Sequence, residues 1–222
     1  EAIELCRRYL AYMPGSFRER PVVAEAVPAK PGRSIEEIVP YDQMKSDRYL
    51  AVNPMGKVPA IKHRDHVVTE SAAICAYLAD VFPEAQLGPR DDEKADYYRW
   101  LFYAAGPVEQ AVTNHHAKFD PAPEQGRMFG YGSYDKVVSV LDELFSLRDY
   151  VCGDRFTAAD VYVGSAIMWG TQFGTLPQRD SFTSYVERLR ARDAYKGATE
   201  LDDDAQAQLQ PRPFDGDLEV FQ

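Results

Sequence analysis

Asn53-Pro54-Met55-Gly56-Lys57-Val58-Pro59-Ala60-Ile61, with the residues that follow as far as Phe82, KHRDHVVTESAAICAYLADVF, is the stretch that decides the fold. Val58–Ile61 is a short β-prone run, Arg64-Asp65 is a polar break, and His66–Thr69 is a second short run, so the pair predicts a hairpin. A helix opens at Glu70-Ser71, where acidic and hydroxyl residues suit a first turn. Ile74, Leu78 and Val81 follow at helical spacing, and Pro83 stops the pattern.

Two features of this stretch bear on chemistry. Pro59 stands at the mouth of a strand, where it removes a ladder donor, which points to a fixed turn and a cis Val58-Pro59 bond. That isomer would leave the Val58 backbone N–H and C=O turned outward, free to pair with an extended ligand. Thr69-Glu70-Ser71 at a helix start offers free N–H groups, a hydroxyl and the helix dipole to a ligand carboxylate, while Glu70 could hold an ammonium. Together they suit a small peptide. The same residues also fit a capped helix after a β-turn, and residue types alone leave both readings open.

Outward from this stretch, Pro83–Arg90 is rich in breakers and predicts a domain boundary. Asp91–Glu93 open a long helix whose apolar stripe reads Tyr98, Leu101, Phe102, Ala105, Val108 and Val112, with Trp100 and Tyr103 off it and Gly106-Pro107 bending it. Off the stripe, Trp100 and Tyr103 suit packing between helices. Tyr134–Leu147 is amphipathic through Val137, Val138, Leu141, Leu144 and Phe145. Thr157 and Asp160 make a capping box before a helix that is apolar nearly all round, so both are read as structural. Phe182–Arg192 reads as a last amphipathic helix, and the chain then turns acidic and polar.

Composition narrows the function classes. The 222 residues are 45% hydrophobic, enough for one large domain or two small ones with cores. A formal net charge of -10 argues against a nucleic-acid or anionic-membrane partner. No apolar run reaches transmembrane length and no basic stretch leads into an apolar one, so no membrane partner is expected. Cys6, Cys75 and Cys152 are odd in number and scattered, which predicts a reducing, cytoplasmic setting. His115 and His116 point about 100° apart on a helix, and His63 and His66 have no third ligand nearby, so no metal is expected.

NPMGKVPAI followed by VVTESAAICAYLADVFP, and later GDRFTAADVYVGS, resembles the soluble, bacterial-like glutathione transferase family. The resemblance implies a thioredoxin-like α/β domain over residues 1–82, an all-α helical domain over 91–200 and a tail over 201–222. It implies glutathione as co-substrate, with Lys57 and Val58 holding the peptide, Pro59 shaping the loop, and Glu70 with Ser71 holding the γ-glutamyl end. The thiol would be activated by a hydroxyl at the end of the first strand, Ser16, with Tyr12 and then Tyr9 as alternatives. The thiolate would attack a small hydrophobic electrophile, for which Trp100 or Tyr103 could offer an aromatic wall. A homodimer is implied, the first domain of one subunit against the second of the other. One segment departs from the family pattern: Pro21 interrupts Phe17–Val27, leaving a helix of two turns over Arg20–Ala26 without the usual Trp or Leu pair. The rival reading is a glutathione-binding or interaction module without transferase chemistry.

Overall fold

The computed structural model describes residues 44–63 and 65–199. Ser16, Tyr12, Tyr9, Cys6, the segment after Ser16 and the acidic tail lie outside the described residues.

A short helix α1, Asp47–Leu50, opens the described chain, and its Ser46 cap accepts a hydrogen bond from the Tyr49 N–H. Strands β1, Ala60–His63, and β2, His66–Thr69, pair antiparallel with Ala60 opposite Thr69 and His63 opposite His66. The hairpin predicted from the two β-prone runs is therefore formed. Helix α2, Ser71–Val81, follows directly and buries Ile74, Cys75, Leu78 and Ala79.

Pro83–Ala85 forms a 3-10 turn, and a linker leads to α3, Lys94–Tyr103. This linker is fastened to the helical unit. Arg155 donates to the Gln86 and Gly88 carbonyls and pairs with Glu93, and the Ala158 N–H donates to the Leu87 carbonyl.

Of the stripe its sequence predicts, helix α3 and the turn after it bury only Leu101 and Val108. Tyr98 is 48% exposed, Phe102 is 72% exposed and Ala105 is exposed, while Tyr97, Trp100, Leu101, Ala104 and Val108 are buried. The run from Tyr97 to Tyr103 is apolar or aromatic at nearly every position, so two faces compete for the core; the one carrying Tyr97 and Trp100 wins. Ala104–Val108 is a π-turn with Pro107 inside it, so the irregularity falls at Gly106-Pro107 as expected. Helix α4, Glu109–His116, completes this arm.

Helix α5, Tyr134–Leu147, presents Val137, Val138, Leu141, Leu144 and Phe145 to the core. Helix α6, Ala158–Phe173, is buried along most of its length and packs against α2, α3 and the following helix. Helix α7 spans Asp180–Arg190 and buries Phe182, Tyr185, Val186 and Leu189. Gly164 permits the close approach of α6 and α7, since a Cβ there would collide with Leu189. Phe182–Arg192 is not the last helix: residues 193–199 are helical too, held by the fully buried Ala198. One core runs through the molecule, from Ile61, Ile74 and Leu78 to Trp100, Val161, Ile167 and Tyr185.

Candidate glutathione site at the end of the hairpin

The register of the hairpin does most of the assembly. Because Ala60 lies opposite Thr69, the residues just before β1 and those just after β2 meet at one end. Lys57, Val58 and Pro59 therefore enter the hairpin at the end from which Glu70 and Ser71 leave it.

The loop before β1 is held from inside. The Asn53 side chain caps its own turn, accepting from the Met55 N–H at 3.1 Å, and the Gly56 N–H donates to the Asn53 carbonyl at 2.8 Å. Gly56 has φ 57°, a conformation that favours glycine, and a Cβ there would lie 2.7 Å from Lys45 Nζ, the end of a flexible side chain, and 3.0 Å from Leu50 Cδ2. Lys45 Nζ donates to the Met55 carbonyl at 3.2 Å. The Lys57 carbonyl accepts from Tyr49 Oη at 2.6 Å and from Asn53 Nδ2 at 2.7 Å. Burial raises the Tyr49 pKa, with the Asn53 hydrogen bond opposing it, so the phenol stays a donor. The Val58-Pro59 bond is cis, the isomer read from the sequence.

Glu70 stands between β2 and α2 at φ 66°, ψ 119°. Its carbonyl accepts the first helical bond from the Ile74 N–H, and its carboxylate is exposed, accepting from Thr69 Oγ1 at 3.2 Å. It makes no side-chain cap. The first N–H groups of α2 thus have no side-chain acceptor from the cap residue, and they share the positive end of the helix dipole with the half-buried Ser71.

On the helical side Tyr162 of α6 is pushed up to about 12 by burial and then by the charges of Glu109, Cys75 and Glu70, which keeps its hydroxyl protonated. Of the two aromatic residues considered as a wall, Trp100 is 4% exposed and packs edge-on against the half-buried Tyr103 with the Arg99 guanidinium over its ring. Trp100 is a core residue.

The remaining motif residues lie elsewhere. Thr157 and Asp160 form the capping box of α6: Asp160 Oδ2 accepts from the Thr157 N–H at 2.8 Å and Oγ1 at 3.0 Å. Asp160 Oδ1 accepts from the Val151 N–H at 2.7 Å and Tyr185 Oη at 2.9 Å. Cys152 is pushed up to about 11 by burial, so its thiol stays protonated. His63 Nδ1 contacts Tyr77 Oη at 2.8 Å, and no group of ligating side chains able to hold a metal occurs among the described residues.

Comparison with known proteins agrees with this layout. The model of the glutathione S-transferase N-terminal domain matches residues 16–80, and that of the C-terminal domain matches residues 132–193. Glutathione S-transferase GstA of Escherichia coli O157:H7 is 33% identical over 171 residues, covering 72% of this chain and 84% of that protein. The chain belongs to the glutathione S-transferase family. Its fold is accordingly the thioredoxin-like α/β unit followed by an all-helical one, of which β1, β2 and α2 are part of the first. Elongation factor 1-gamma of Artemia salina is 31% identical over 131 residues, covering 56% of this chain and 29% of that protein. A sphingomonad glutathione S-transferase solved in complex with glutathione shares the fold, with a TM-score of 0.58 at 21% identity over 90% of this chain and 94% of that one.

Asn53 and Tyr49 were not among the residues singled out from the sequence. The Asn-Pro-x-Gly pattern signals a turn, but that both side chains converge on one carbonyl depends on how the turn closes against α1.

Proposed function

We propose that the protein binds glutathione at the end of the hairpin and joins its sulfur to small, hydrophobic electrophiles, a reaction suited to detoxification. The observation that carries this reading is the register, by which the chain enters β1 after Val58 and leaves β2 into Glu70 and α2 at the same end of the hairpin. Val58 would pair with the peptide backbone, Lys57 would lie along it, Glu70 would hold the γ-glutamyl ammonium, and Ser71 with the free N–H groups would hold its carboxylate. The family relation and the sphingomonad enzyme's complex with glutathione support the same ligand. The thiol must lose its proton before sulfur attacks, which a hydroxyl donating to sulfur favours. Ser16 is assigned that role, with Tyr12 as the alternative. The domains are taken as 1–82 and 91–200, the setting as cytoplasmic, and the assembly as a homodimer.

The test combines calorimetry with glutathione and a conjugation assay with a generic electrophile. Binding with measurable turnover is expected, and Ser16→Ala should cut turnover about tenfold or more with affinity nearly unchanged. Loss of turnover in Tyr12→Phe with full turnover in Ser16→Ala would move the role to Tyr12. A second reading, binding without transfer, is supported by the similarity over 131 residues to Elongation factor 1-gamma of Artemia salina. Glutathione binding with no conjugation across several electrophiles would establish it.

A further inference from the structure

Two buried side chains that would not themselves touch a ligand control the backbone group that would. Tyr49 and Asn53 are each 5% exposed, and the Tyr49 ring belongs to a small cluster with Met44, Ala60 and Val58. The Asn53 N–H donates to the Tyr49 carbonyl at 2.8 Å, so the two residues are also tied through the backbone. Their side chains meet on one acceptor, the Lys57 carbonyl, at 2.6 and 2.7 Å. Both of its lone pairs are used.

The consequence follows from peptide geometry. The Lys57-Val58 bond is trans, and in a trans peptide the C=O and the following N–H point in opposite directions from one plane. Two donors inside the loop draw the carbonyl inward. The Val58 N–H must then point away from Tyr49 and Asn53. Rotation of that plane would break both hydrogen bonds and leave two buried donors, Tyr49 Oη and Asn53 Nδ2, without an acceptor.

We propose that Tyr49 and Asn53 are positioning residues for glutathione, which hold the Lys57-Val58 peptide plane so that the Val58 N–H is presented to the backbone of the bound peptide. This rests on the reading that glutathione binds at this end of the hairpin. Lys57 itself is exposed, and its side chain has no part in holding the plane.

The experiment uses the full chain, with glutathione as the probe. Calorimetry gives affinity, steady-state kinetics give KM and kcat, and a ¹⁵N-labelled sample follows the Val58 and Ser71 amides on titration. Tyr49→Phe removes one hydroxyl and keeps the ring. Asn53→Asp keeps the acceptor for the Met55 N–H and removes the donor. Each variant should raise the dissociation constant and the KM for glutathione at least fivefold, leave kcat at saturating glutathione within twofold, and diminish the ligand-induced shift of the Val58 amide while that of Ser71 persists. Unchanged affinity and an unchanged Val58 response in Tyr49→Phe would overturn the proposal with the glutathione reading intact. So would a loss of affinity that only follows a fall in melting temperature with every loop amide displaced. If the unaltered protein binds no glutathione, both are overturned.

Discussion

Glu70 carries a conformational cost that its neighbours do not. A non-glycine residue at φ 66°, ψ 119° lies outside the ordinary left-handed region, where such strain costs about 1–3 kcal/mol and is characteristic of functional positions. The strain turns the chain sharply from β2 into α2 while the carboxylate stays exposed beside the Val58 loop. Glycine at this position would relieve the backbone and delete the carboxylate. Glu70→Gly is therefore expected to raise the melting temperature and to weaken glutathione binding about tenfold or more, as loss of a charge-assisted contact should. Ser71→Ala should weaken binding less, with little change in melting temperature. Calorimetry and thermal unfolding read both, and unchanged affinity in both variants would place the site elsewhere. The residue types at 69–71 suggest a site for a carboxylate and an ammonium from the sequence alone. The strained backbone at Glu70 did not show, because glutamate has no marked preference for positive φ and only the hairpin register imposes it.

At the scale of elements, α6 is where burial and charge conflict most. Asp160 is fully buried, and its four donors are the Thr157 N–H and hydroxyl, the Val151 N–H and the Tyr185 hydroxyl. Burial pushes its pKa up to about 6, with the hydrogen bonds opposing the rise. The sign of the pH effect follows. The unfolded carboxyl titrates near its usual value of about 4, so between about pH 4 and 6 the folded state holds a proton that the unfolded state has released. From this group, stability falls as pH rises through that window and is level above it. Denaturant unfolding at pH 4, 5, 6 and 7 should show that slope, and Asp160→Asn should flatten it. The variant should also be less stable at pH 7 by about 2 kcal/mol or more, since an amide cannot accept from donors on both of its sides. An unaltered slope in Asp160→Asn would assign the pH dependence to other groups. The capping box was legible because Thr157 and Asp160 have the right chemistry at the right spacing. The buried face of α3 was not, because tyrosine, tryptophan and phenylalanine occupy both faces and periodicity alone does not choose between them.

That second apolar face on α3 belongs to the molecule as a whole. Phe102 at 72% exposure and Tyr98 at 48% lie one turn apart, followed by the exposed Ala105. On the hairpin unit, Met55 is 70% exposed and Val67 is 44% exposed. A single exposed aromatic residue is ordinary, but a stripe on the helical unit together with apolar residues on the hairpin unit gives each half a surface that another copy could cover. In a two-fold arrangement the first domain of one subunit would lie on the second domain of the other, and the same contact would occur twice. A stable interface of this kind buries on the order of 1,600 Å² or more, with its core apolar and aromatic. Sedimentation at micromolar concentration should give a mass near twice the 25.1 kDa of the chain. Phe102→Glu would set a carboxylate into the middle of that stripe, and because Phe102 packs little within its own subunit the fold should survive. The variant is expected to sediment as a monomer with native far-UV circular dichroism. A monomer from the unaltered protein, or a dimer undisturbed in Phe102→Glu, would mean that the exposed face of α3 is not what joins the subunits.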